Sequence, residues 1–121
     1  TTIKSSGATS GIGYATGAGG TVTQLTSKAT GVTLSKVCGT VTLQAASLAA
    51  NTTISFVLTN TAIDVGDVLV LNHTAVGTFG GYSLNARAAA GSATIDIRNV
   101  TAGALAEAIV LSFVVIKAVT A

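Results

Sequence analysis

The residues able to carry nucleophilic chemistry are sparse in this sequence. His73 is the only histidine and Cys38 is the only cysteine. A serine, threonine or cysteine becomes an effective nucleophile when a base is held beside it. No Gly-x-Ser-x-Gly motif is present, but a Ser/His/Asp arrangement stays open, because such groups meet in space and not in sequence. We interpret His73 as a loop histidine at the end of a strand, and we predict no catalytic residue and no cofactor.

Four carboxylates could contribute to a metal site or to acid–base chemistry: Asp64, Asp67, Asp96 and Glu107. Asp64 and Asp67 flank a glycine, and a calcium ion held there would need six or more oxygen ligands. Turn formation accounts better for two aspartates around a glycine. Asp96 lies two residues from Arg98 on one face of an alternating segment, where we expect a cross-strand ion pair. We therefore predict no metal site.

The segment Ser6–Gly13 looks like the Gly-rich cofactor loop of short-chain dehydrogenases. Such a loop binds a pyrophosphate when a buried strand precedes it and a helix follows it. Here Thr1–Ser5 precede the segment and more glycines follow it, and neither tyrosine begins a Tyr-x-x-x-Lys motif. The context therefore argues against a dinucleotide site.

The composition is unusually poor in charge. Charged residues make up 8% of the chain, against about 25% in an ordinary globular domain. The net charge is +2 and the basic residues are scattered singly, so we predict no nucleic-acid partner. No apolar run approaches the ~20 residues of a membrane-spanning helix, and we predict no membrane partner. A surface of threonine, serine, alanine and glycine suits a protein that is packed into an assembly.

Strand patterns fill the chain from residue 21 onward, and no amphipathic helix is evident. We predict an all-β fold, an antiparallel β-sandwich of jelly-roll type over residues 21–121. Residues 1–20 contain six glycines, and we predict that they form an extended arm. The segments expected to form strands alternate in polarity or are continuously apolar; they are residues 21–25, 31–34, 40–43, 53–59, 68–71, 82–88, 93–100 and 108–117.

The last apolar run, Ala108–Lys117, is the strongest strand signal. It is rich in β-branched and aromatic residues and only Ser112 interrupts it. A strand with one wet face would alternate, so a near-continuous run indicates burial on both faces. We predict a central strand, covered by a second sheet on one side and by another subunit or layer on the other. The packing residues are predicted to be Ile109, Leu111, Phe113 and Val115.

Two stretches carry a family resemblance. Gly13–Lys28, continued by residues 31–34, and Arg98–Val110 resemble segments that recur in virion proteins of tailed bacteriophages and their prophages. The resemblance covers nearly the whole chain after about residue 11. It implies a non-enzymatic, trimeric structural protein that is assembled in the host cytoplasm and lies on the outside of the virion. No catalytic residue carries over from it.

From this resemblance we expect a capsid decoration (cement) protein. Such a protein would be a homotrimer on the capsid surface that binds the major capsid protein of the same phage and stabilises the assembled head. The alternative is a head-fibre or tail-fibre domain involved in host attachment. Within the arm, the large apolar residues Ile3, Ile12 and Tyr14 are expected to anchor the chain to the capsid. A hydrolase or a carbohydrate-binding module is disfavoured, because the chain has only two Tyr, three Phe and no Trp.

Overall fold

The computed structural model describes residues 1–120. Within them the chain forms eight β-strands and no helix, so the predicted all-β class is confirmed. None of these residues forms a helix that could cross a membrane. The strands are β1 (Gly19–Thr23), β2 (Val32–Thr33), β3 (Cys38–Thr42), β4 (Thr53–Thr59), β5 (Val68–Ala75), β6 (Tyr82–Ala89), β7 (Ser92–Asn99) and β8 (Val110–Ile116).

The strands form two four-stranded sheets. The first sheet has the order β1-β3-β8-β5 and the second has the order β2-β4-β7-β6. The prediction of purely antiparallel sheets is wrong, because β1 pairs with β3, and β2 with β4, in parallel. Parallel neighbours need a crossover of about a dozen residues or more. Residues 24–37 and 34–52 are long enough to provide these two crossovers. Because the remaining neighbours in each sheet pair antiparallel, both sheets are mixed.

Both sheets contribute alternate residues to one hydrophobic core. In the second sheet, Phe56 on β4 and Ile95 and Ile97 on β7 are at most 2% exposed. β8 is an inner strand of the first sheet, as predicted, with β3 and β5 as its neighbours. The four predicted packing residues lie in this core at 0–2% exposure: Ile109, Leu111, Phe113 and Val115.

The end of β5 differs from the sequence prediction. His73 was expected in a loop, but β5 continues through Ala75. His73 pairs with the buried Leu111 of β8, and the register shifts between His73 and Ala75. Asn72 and Thr74 face solvent while His73 is half-buried, so the alternation of a strand continues past the apolar residues. The sequence prediction ended the strand at residue 71 because the residues that follow, Asn72, His73 and Thr74, are polar.

Candidate functional site

An apolar patch lies on the outer face of the first sheet. Val114 and Ile116 of β8 point away from the core and pair with Val70 and Val68 of β5. These four side chains, which we call the valine patch, are between 38% and 52% exposed. Cys38 of β3 is paired with Val114 and extends the patch across the sheet. Contiguous exposed apolar side chains of this kind are typical of interaction sites.

The N-terminal arm runs beside this patch. Residues before Gly19 form no strand, so the predicted arm over residues 1–20 loses only its last two residues to β1. Ile12, Gly13 and Tyr14 form one wall of an apolar groove of about 540 Å³, and the other wall includes Cys38 and Val114. The groove also touches Ile116 and Lys117 at the end of β8.

Tyr14 is the residue that attaches the arm to the domain. Its hydroxyl donates a hydrogen bond of 2.7 Å to the main-chain carbonyl of Val115. The N–H of Val115 bonds to the carbonyl of Val37, just before β3 begins at Cys38. Tyr14 therefore binds β8 beside the point where β3 begins to pair with it.

The three predicted anchoring residues do not share one environment. Tyr14 is 47% exposed and is bound to its own domain, whereas Ile12 is 72% and Ile3 is 77% exposed. The structure thus brings Tyr14 and Ile12 to the valine patch and leaves Ile3 away from the core. The two isoleucines retain most of their apolar surface for contacts outside the chain.

An ion-pair cluster closes the far end of the patch. Lys117 Nζ lies 2.8 Å from an Asp64 oxygen and 2.6 Å from an Asp67 oxygen. The hydrogen bond from Lys117 holds the pKa of Asp67 below its usual value, aided by the Asp64 N–H. Hydrogen bonds to Asp64 and Asp67 raise the pKa of Lys117 in turn. The cation at this edge is therefore neutralised within the domain.

The predicted turn role of the two aspartates is confirmed. The Asp64 N–H donates to the Asp67 carboxylate at 2.8 Å, and the Asp67 N–H donates to the Asp64 carbonyl at 3.2 Å. The ion pair with Lys117 was not predicted, because fifty residues separate Lys117 from Asp67 in the chain. Among residues 1–120, no group of three or more His, Cys, Asp or Glu side chains could hold a metal ion.

The outer face of the second sheet is polar in contrast. Asp96 of β7 accepts hydrogen bonds from Ser55 of β4 and from Asn85 and Arg87 of β6. The predicted cross-strand ion pair is confirmed for Asp96, with Arg87 as its partner at 3.0 Å, whereas none of the ion pairs among the described residues involves Arg98. These bonds, that from Ser55 first, lower the pKa of the Asp96 carboxyl. The polar groups around Asp96 are therefore hydrogen-bonded to one another within this face.

His73 lies in a cluster at the β5–β6 end of the domain. Its ring lies 4.5 Å from the Phe79 ring and 5.6 Å from the Tyr82 ring, between ring centroids. Its Nε2 contacts the main-chain carbonyl of Val76, so this nitrogen is not paired with a serine, threonine or cysteine nucleophile. The arrangement lacks the nucleophile–base contact that acyl transfer requires.

Glu107 joins this cluster from the segment before β8. Its carboxylate accepts hydrogen bonds from the Thr78 hydroxyl at 2.7 Å and from the Tyr82 hydroxyl at 3.4 Å. Burial, together with the nearby Glu107 charge, raises the pKa of Tyr82 to about 12. Sequence reasoning missed this contact, because the two residues are 25 positions apart and belong to no common motif.

A buried lysine was also missed. Lys28 is 1% exposed, so it is not one of the isolated charges that solvate a loop or a strand end. Its Nζ donates to the main-chain carbonyls of Gln44 and Glu107. The Gln24 amide binds the carbonyl of Lys28 at 2.9 Å and holds its loop in place. Burial lowers the pKa of Lys28, and the Glu107 charge opposes this shift.

Comparisons with protein-family models, with curated proteins and with solved structures gave no match. The valine patch and the arm are the features of the described residues that extend beyond what the fold itself needs.

Proposed function

We propose that this chain is a structural virion protein of a tailed bacteriophage, a capsid decoration (cement) protein that binds the assembled head and stabilises it. The observation that carries the proposal is the pairing of an uncovered apolar patch with an exposed arm on the same face of the domain. A domain acting alone would gain nothing from exposing four β-branched side chains on its central and edge strands. A protein built into a shell uses such a face for contacts between chains.

The strand order supports a β-sandwich of jelly-roll type. The order β3-β8-β5 in the first sheet parallels the order β4-β7-β6 in the second, and the two strands at each equivalent position are consecutive in the chain. The connections β3–β4, β5–β6 and β7–β8 each pass from one sheet to the other, as in wrapped Greek-key arrangements. In this proposal β1 and β2 are parallel additions at one edge. Sandwich domains of this kind serve as scaffolds for surface contacts, and the assignment includes no catalytic role.

The valine patch is proposed as the contact between subunits of a homotrimer. The patch has no charged side chain among the described residues, and Lys117 at its edge is neutralised by Asp64 and Asp67. An apolar partner surface therefore meets no unpaired charge there. The low overall charge of 8% fits a chain whose surface is largely covered in an assembly.

The arm is proposed as the element that fastens the trimer to the major capsid protein. Tyr14 fixes the base of the arm on β8, while Ile3 and Ile12 keep more than 70% of their surface exposed. Ordering each arm residue costs about 1–2 kcal/mol, so the shell must supply apolar contacts to hold the arm in one place. The two isoleucines are the side chains that can make those contacts.

Stabilisation of the head follows from selective binding. A ligand that binds only the assembled shell shifts the equilibrium toward it, by about 2.7 kcal/mol per site when its concentration is 100 times the dissociation constant. Subunits that bridge neighbouring capsid proteins add this free energy at every junction. The protein thus acts as a mechanical clamp.

Co-sedimentation with undecorated capsids of the same phage tests this function. We expect full-length protein to pellet with the shells, and protein lacking residues 1–13 to stay folded and oligomeric but bind several-fold more weakly. Ile3→Ser combined with Ile12→Ser should reproduce the loss. Leu25→Ser is the matched control, because Leu25 is 85% exposed but lies outside the arm.

Equal binding of the full-length and shortened proteins would contradict the role of the arm. Absence of binding by the full-length protein would contradict the decoration function. In that case a cryo-EM map of the intact particle tests the fibre alternative. Density for a few copies at a head or tail fibre would then assign the arm as the linker to a shaft.

A further inference from the structure

The loop between β5 and β6, residues 76–81, has a strained backbone. Val76 has φ +61°, and Gly77 and Gly80 have φ +88° and +82°. A β-branched residue in the left-handed region is an outlier that persists only where its surroundings enforce it. Val76 and Phe79 are also 56% and 63% exposed, so burial of their own side chains does not hold the loop.

Contacts on the Glu107 side and a contact with His73 fix this loop on the domain. Thr78 donates its hydroxyl to the Glu107 carboxylate at 2.7 Å, and Gly77 lies so close to Glu107 and Ile109 that a Cβ would clash with both. The contact with His73 joins its Nε2 to the Val76 carbonyl. It acts directly on the residue whose backbone is strained.

The contact to Val76 determines which nitrogen of His73 carries the proton. A carbonyl oxygen only accepts hydrogen bonds, so Nε2 is the protonated nitrogen and Nδ1 is the unprotonated one. Nδ1 is buried and has no hydrogen-bond partner among the described residues. Phe79 lies against the ring at 4.5 Å and Tyr82 meets it edge-on at 5.6 Å. The neutral ring thus fits this site and a second N–H does not.

We infer that His73 is a pH-sensitive latch for the loop of residues 76–81. Imidazole takes up a proton between pH 8 and pH 5. A proton on Nδ1 would place a buried donor and a positive charge where no acceptor lies. Of the nearby titratable groups, Tyr82 of β6 meets the ring edge-on, and Glu107, from the segment before β8, contacts Tyr82 and Thr78. An imidazolium that turns toward solvent gives up the Val76 carbonyl, and the strained loop then opens.

Hydrogen exchange of the loop amides tests the latch independently of any capsid. Protection of residues 76–81 is measured at pH 7.5 and pH 5.0 and corrected for intrinsic exchange, with the β7 amides as an internal control for global stability. We expect loop protection to fall about tenfold at pH 5.0 while β7 stays protected. His73→Gln keeps an N–H donor that does not titrate, and its loop should be equally protected at both pH values.

Three results would overturn the latch. The first is wild-type loop protection that does not change with pH. The second is a His73→Gln variant with the same pH dependence as the wild type; Glu107→Gln then shows whether the carboxylate is the sensor. The third is read from the wild-type protein alone, by ¹⁵N NMR of the imidazole at pH 7.5, and is a neutral ring protonated on Nδ1. That measurement remains decisive if a variant fails to fold.

Discussion

Replacement of Lys28 by methionine is the most informative perturbation of the folded domain. Methionine keeps an unbranched side chain of similar length and removes the ammonium group. In the wild type that group donates to the main-chain carbonyls of Gln44 and Glu107 and joins two segments that lie far apart in the chain. Lys28→Met therefore separates the hydrogen bonds of the ammonium from the packing of its aliphatic stem.

The magnitude follows from two opposing terms. A buried acceptor left without a donor costs about 1–3 kcal/mol, and two carbonyls lose their donor here, for a total of about 2–6 kcal/mol. Removal of the charge recovers part of this, because burial already disfavours the charged form of Lys28 and lowers its pKa. Replacement of a whole buried ion pair by apolar side chains stabilises by up to about 1–4 kcal/mol, which bounds what removal of this single ammonium recovers. We expect a net loss of about 1–3 kcal/mol, and a further loss for Lys28→Ala because it also leaves a cavity.

Urea denaturation followed by circular dichroism measures this loss. Lys36→Met is the matched control, because Lys36 Nζ makes only an exposed contact of 3.4 Å with the Gly17 carbonyl. The control should change the free energy of unfolding by less than about 0.5 kcal/mol. A Lys28→Met protein as stable as the wild type would refute the reasoning, since the two carbonyls would then have no need of the ammonium.

Three further predictions concern the core, the patch and alkaline pH. Phe113→Ala should lower the free energy of unfolding by about 3–5 kcal/mol, measured by urea denaturation, because it empties the centre of the core. In sedimentation velocity at micromolar concentration the wild type should be a trimer. Val70→Lys should shift it to a folded monomer of about 12 kDa, whereas Val57→Lys, equally exposed on the second sheet, should not; a wild-type monomer contradicts the trimer. The pKa of Tyr82 in the folded state is raised from 10.0 to about 12. Its contribution to the free energy of unfolding is therefore complete below pH 10 and is lost as the pH rises from 10 to 12. In urea denaturation the free energy of unfolding should fall by about 1–2 kcal/mol over this pH range, after allowance for solvent screening. The Tyr82→Phe variant should not show this fall.

The strands were predictable because their side chains alternate. Residues 53–59 form β4 as expected, and the segments predicted around β6, β7 and β8 differ from the structure by one or two residues at their ends. Polarity follows which face of a strand is covered, and that is a local property of the sequence. The two-residue β2 was expected to span four residues, because an edge strand ends where its partner does and not where its own pattern ends.

The pairing of the strands and the buried polar contacts were harder to predict from the sequence. Alternating threonine and valine residues occur in β1, β2 and β3 alike, so nothing local distinguishes a parallel neighbour from an antiparallel one. Lys28 contacts Glu107 across 79 residues of sequence, and no spacing rule signals such a contact. Tyr14, expected on a capsid partner, binds the carbonyl of Val115 across 101 residues of sequence, and no spacing rule signals that contact either.

The size of the valine patch bears on how the proposed trimer and the shell depend on each other. Full burial of a valine or isoleucine side chain is worth about 1.5–3 kcal/mol, so a half-exposed one retains about 1 kcal/mol. Four such residues on each of three subunits contribute about 12 kcal/mol to the trimer, while each of its two association steps costs about 4–15 kcal/mol. Patch contacts alone therefore give marginal association. Three arms that engage the shell together raise the effective concentration of the subunits and tighten the trimer at the same time. The trimer that forms at micromolar concentration in solution should accordingly be tighter on the capsid, which is the selectivity that a decoration protein needs.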